Sequence, residues 1–194
     1  MQKLETAVHE AGHGVAAAAL GFRVYFLSLA ESLDAGLLVE GQVTGASMID
    51  FSPGSAGRGA VAIDRTRRYS EGTFACGEPA FAALADEGRT DVAAILIAGR
   101  IAQARLGVHP VLALSGAAGD VAREQQLFGL MREGPRERHE ERAYRRAKGI
   151  VVREWGAICL VALAIVTEGG RLDGEALERG LDARRVARPS WSCG

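Results

Sequence analysis

The chain has 194 residues, 48% of them hydrophobic, with a formal net charge of −1 and a pI near 6.4. That length and composition suit one compact domain with a sizeable core. The near-neutral charge gives no reason to expect nucleic acid or an anionic membrane surface as a partner.

Residues 2–20 predict the first helix, ended by Gly21. Leu4, Ala7, Val8, Ala11, Val15, Ala18 and Ala19 recur at helical spacing and give it an apolar surface. This helix carries His9-Glu10-Ala11-Gly12-His13. Residues four apart lie one turn above each other on the same helix face, so both imidazoles can reach one metal ion at about 2.0–2.1 Å. Glu10, between them, is placed to take a proton from water at an open position on that metal, as in zinc hydrolase helices of H-E-x-x-H type. A buried His pair beside a buried Glu would be poorly satisfied without a metal.

Residues 23–29 and 37–44 read as strands, 45–59 as a loop rich in turn residues, and 60–64 as a short strand. Helices are expected over 78–85, 91–106, 120–131, 135–153, 156–167 and 174–182, followed by a loose tail from 187 to 194. The longest apolar run, 155–166, is too short to span a bilayer and predicts a buried core helix. Cys76, Cys159 and Cys193 are scattered and form no disulfide or zinc framework, which favours a cytoplasmic setting. Cys159 reads as core and Cys193 as an exposed thiol. No signal-peptide pattern precedes the first helix. The expected fold is mainly α with a small β-sheet, a zincin-like helix packed in a helical domain spanning 1–186.

A catalytic zinc takes a third protein ligand and keeps a fourth position for water. His139 lies in a charged run that reads as a solvated helix face. His109, before Pro110 in a turn, reads as an ordinary loop residue first and as a ligand second. Asp120, in the first turn of a helix after Ser115-Gly116-Ala117-Ala118-Gly119, is either a capping charge or a ligand.

Thr6-Ala7-Val8-His9-Glu10-Ala11-Gly12-His13 resembles the zinc helix of the FtsH family of membrane-bound, ATP-dependent metalloproteases, which reads T-A-x-H-E-A-G-H. Leu96-Ile97-Ala98-Gly99-Arg100-Ile101-Ala102-Gln103 is similar to that family's L-x-G-G-R-A-A-E segment. Ser115 to Asp120 resembles its S-G-A-x-x-D segment, and the stretches 143–147 and 172–175 resemble its closing helices. The resemblance runs in register over roughly residues 4 to 182, and it implies that Asp120 is the third ligand. Three departures accompany it. Ala98 stands for the first Gly of the second motif, and Gln103 stands for Glu, so a position that would orient a ligand carries no charge here. Residues 28–92 match only loosely. No ATPase module, Walker A sequence or membrane anchor is expected in this chain.

The resemblance thus implies an ATP-independent zinc endopeptidase acting on flexible or unfolded polypeptides, with Zn2+ on His9, His13 and Asp120 and with Glu10 as general base. The substrate would lie against the sheet edge, placed by the sequence at 59–64. A non-catalytic zinc-binding regulatory or scaffold protein with the same fold is the alternative, and an amidase acting on small substrates is a third reading. A homo-oligomer or a separate ATPase partner is the assembly left open.

Overall fold

The computed structural model describes residues 2–31, 43–50, 84–109, 118–132 and 134–187. Most of the sequence-predicted strand at 37–44, the strand at 60–64, the substrate edge at 59–64, most of the 78–85 helix, Cys76, Cys193 and all of the 187–194 tail after Ala187 lie outside these residues.

Helix α1 (Gln2–Ala19) is the central element. Residues 7 to 17 are buried on every side, whereas Leu4 and Ala19 are exposed. The helix is thus mostly buried, as its apolar positions predict, although two of them, Leu4 and Ala19, face outward. Small residues make this enclosure possible. A Cβ on Gly12 would stand 2.9 Å from the Ala98 carbonyl oxygen, and one on Gly14 would stand 2.6 Å from Leu27 Cδ1. One glycine thus lets a second helix approach α1 closely, and the other admits the sheet. Gly21, at φ 82°, stops α1, with the Phe22 amide donating to the Ala17 carbonyl across the turn.

Strands β1 (Arg23–Glu31) and β2 (Val43–Asp50) pair antiparallel, and a three-residue strand β3 (Arg171–Asp173) joins the other edge of β1. The order among the described residues is β2-β1-β3. Strand β2 runs through positions 45–50, which the sequence reads as loop. Gly45, Ser47 and the other small residues there have little strand propensity of their own. Pairing with β1 and full burial of Ile49 override it.

Helix α2 (Asp86–Leu106) lies against α1 and begins five residues before the sequence-predicted start at 91. Its first turn is polar, which hides it from an apolar-periodicity reading. Arg89 is nonetheless buried, donating to Asp86 and to the Leu130 carbonyl, both at 2.7 Å. Helix α3 (Ala118–Gly129) packs on α2 through Leu127 and Phe128. Helix α4 (Arg136–Arg153) is tied to the start of α2 by Arg146, paired with Asp91 and Glu87, and by Arg142, paired with Glu87. It turns by 76° into α5 (Trp155–Thr167). Helix α6 (Gly174–Ala187) follows β3 directly. The protein is mainly helical with a small antiparallel sheet, as expected.

Two expectations for α5 need correction. Ile158, Val161, Ala162 and Ile165 face the core, but Leu160 and Leu163 are more than half exposed, and Cys159 is exposed rather than core. A helix that is apolar all round shows no polar stripe in its sequence from which the outer face could be read. No single helix among the described residues is long and apolar enough to cross a membrane.

Candidate metal centre

Three side chains from two distant helices converge beside α2. His9 and His13 come from α1 and Asp120 from the first turn of α3, all buried. His9 Nε2 lies 3.0 Å from Asp120 Oδ2, His13 Nε2 lies 3.2 Å from the same oxygen, and the two Nε2 atoms are 2.9 Å apart. The rings meet edge to face, 89° apart.

The far side of each ring is fixed. His13 Nδ1 lies 2.8 Å from the Ile95 carbonyl, which can only accept, so that nitrogen carries the hydrogen. His9 Nδ1 lies 3.0 Å from Gln103 Oε1. The Gln103 amide cannot be turned around, because its Nε2 donates to the Glu5 carbonyl at 3.3 Å. Both Nδ1–H groups therefore donate outward, and both neutral rings present the lone pair of Nε2 inward. Two nitrogen lone pairs and a carboxylate oxygen then face one another within about the length of a hydrogen bond. Three acceptors so arranged repel unless a cation lies among them, whether a proton or a metal ion. The cluster could hold a metal ion on chemical grounds, and its ligand orientation is already set by outer hydrogen bonds.

Helix α2 shapes the site from beneath. A Cβ on Gly99 would stand 2.6 Å from His13 Cε1, 2.7 Å from His13 Nε2 and 2.9 Å from His9 Cε1. Only glycine leaves room there for both rings. Within one turn of α2, Gly99 admits the imidazoles and Gln103 holds one of them.

Glu10 is buried at 5% exposure. Its charge acts on His13, three residues along the same helix. His109 is exposed and His139 half-buried, and neither belongs to the cluster. Of the groups that orient the ligands, Gln103 is visible in the sequence only through the resemblance, and the Ile95 carbonyl has no sequence signal at all.

The electrostatics bear on how a metal enters. Burial disfavours a charged His13, but the charge and hydrogen bond of Asp120 outweigh it, with help from Glu10 and the Ile95 carbonyl. The net effect pushes the His13 pKa up to about 9. Burial likewise disfavours the Asp120 carboxylate, yet His13 and His9 hold its pKa well below the usual carboxylate range. Without a metal, a proton on His13 is the cation that separates these acceptors. Since the folded pKa of His13 lies above its ordinary 6.5, this pairing stabilises the fold fully below that value and fades as pH rises through about 9. The depressed Asp120 contributes above the ordinary 3.8, and its contribution is lost as pH falls further. Metal binding must displace the His13 proton. Affinity for a divalent metal should therefore rise about tenfold per pH unit from 7 towards 9 and flatten above. Chelator-competition titrations at several pH values would measure the slope, and a flat profile would contradict this electrostatic picture.

Compared with known proteins, the chain matches no family model and no curated sequence.

Proposed function

We propose that this protein is a zinc-dependent endopeptidase, related in design to the FtsH peptidase domain, that hydrolyses flexible or unfolded polypeptides without ATP. The observation that carries the reading is the convergence of His9 Nε2, His13 Nε2 and Asp120 Oδ2, with the buried Glu10 on the histidines' own helix acting through its charge on His13. Tetrahedral zinc with bonds of about 2.0–2.1 Å separates its ligand atoms by about 3.3 Å. The separations here, 2.9 to 3.2 Å, need to widen by only a few tenths of an ångström. Two His and one Asp supply three ligands, the number used where a position is kept for water, while structural zinc sites take four protein ligands.

Zinc, when bound, would supply the Lewis acidity that makes water a competent nucleophile near neutral pH and polarises a peptide carbonyl. The chain's own residues do the rest. His9 and His13 are held in register by Gln103 and the Ile95 carbonyl, so ligand geometry need not be reorganised during turnover. Glu10 takes a proton as the water oxygen bonds to the carbonyl carbon. It then delivers that proton to the departing amine as the C–N bond breaks, leaving a carboxylic acid product and a free amine. A buried site of this kind favours an extended, unstructured chain over a folded one.

The test is cleavage of a pool of unstructured peptides by purified protein. Activity should need no ATP, disappear with a chelator and return with about one equivalent of zinc. A protein that takes up zinc yet cleaves nothing in the pool would favour the non-catalytic scaffold reading.

A further inference from the structure

Among the described residues, the third ligand arrives on a helix whose apolar packing lies at its far end. In the first two turns of α3 no apolar side chain is fully buried, whereas the acidic Asp120 and Glu124 are both shielded from water. The apolar anchors, Leu127 and Phe128, and the Arg89 bond to the Leu130 carbonyl all lie at the far end. From Leu127 back to Asp120 is seven residues, or about 10 Å of helix at 1.5 Å per residue. A small pivot at the anchored end would carry the carboxylate away from the imidazoles.

Besides the bonds of Asp120 to the two imidazoles, an ion pair to α2 opposes that pivot among the described residues. Arg100 on α2 grips Glu124 with two parallel bonds, Nη1 to Oε2 at 2.5 Å and Nη2 to Oε1 at 3.1 Å. Both side chains are more than four-fifths buried. Exposed ion pairs contribute little, but a bidentate guanidinium–carboxylate pair shielded from water fixes direction as well as distance. Glu124 lies one turn after Asp120, on the same face of α3. Arg100 directly follows Gly99 on α2. The pair of Arg123 with Asp120, Nη1 to Oδ1 at 3.8 Å, lies within α3 and so does not itself tie that helix to α2.

We infer that Arg100 and Glu124 are positioning residues for the metal: their ion pair locks α3 onto α2 so that Asp120 completes the ligand set begun by His9 and His13. This rests on the metal reading above and adds to it which residues outside the ligand set govern affinity.

The experiment is a double-mutant comparison of zinc dissociation constants on the purified chain, with thermal melts to confirm folding. Glu124→Gln keeps the side-chain shape and should weaken zinc binding about tenfold, in the range seen for outer partners of metal ligands. In an Asp120→Ala background the same change should alter the dissociation constant by less than about twofold, since no carboxylate remains to be positioned. The swap Arg100→Glu with Glu124→Arg should restore affinity towards wild type. An equal loss in both backgrounds would mean a general structural role and overturn the inference, as would unchanged affinity in Glu124→Gln or failure of the swap to restore it. Wild-type protein that binds no zinc would remove the metal reading itself, a result distinct from zinc binding that ignores the ion pair.

Discussion

Glu10→Gln is expected to lower peptide hydrolysis at least about a hundredfold, the lower bound for losing a general acid–base group, while the protein still folds and binds one zinc. Gln matches Glu in size and can still hydrogen-bond water, but its amide cannot accept a proton at neutral pH. Glu10 is not among the three converging ligand atoms, so the stoichiometry should hold. Its charge does act on His13, however, and losing it removes part of the attraction for any cation at the cluster. A modest weakening of zinc affinity should accompany the large loss of rate. Turnover measured at saturating zinc separates the two effects. If Glu10→Gln cleaves as fast as wild type under those conditions, the base is elsewhere and the mechanism proposed above is wrong.

How much of this was legible in the sequence depends on the range of each signal. The His9–His13 pair is local, and helical periodicity alone places both rings on one face. Asp120 lies more than a hundred residues away, and its own neighbourhood reads more readily as a helix-capping charge than as a ligand. Only the resemblance singles it out as a ligand; the structure brings its carboxylate to both imidazoles in a cluster that could hold a metal ion. Gln103 showed as a departure from a family pattern, and the structure gives the position its contact, a hydrogen bond to His9. The Ile95 carbonyl was invisible because every residue has one. The errors in the fold have similar causes. Strand β2 is set by its partner rather than by its small residues, and β3 is three residues long, too short for any periodicity. The start of α2 was missed because Arg89, buried through hydrogen bonds rather than apolarity, reads in sequence as a surface charge.

Gly99→Ala is expected to damage the metal centre more than the fold. Glycine inside a helix costs about 1 kcal/mol relative to alanine, so this substitution would ordinarily stabilise α2. Here the added methyl would stand 2.6 Å from His13 Cε1 and 2.9 Å from His9 Cε1, closer than carbon atoms pack. Both rings are confined, His13 by its bond to the Ile95 carbonyl and His9 by Gln103, so neither can yield without giving up the outer hydrogen bond that sets its tautomer. Overpacking of this kind costs about 1–3 kcal/mol, against which the gain in helix propensity partly offsets. The melting temperature of the metal-free protein should therefore change little. Zinc affinity should fall by about 10- to 100-fold, the range for disturbed ligand orientation, and peptidase activity at limiting zinc should fall with it. Affinity and melting temperature measured on the same sample decide the matter. Unchanged affinity would mean that the rings have room the structure does not give them, whereas a collapse in melting temperature with zinc binding intact would place the role of Gly99 in helix packing alone.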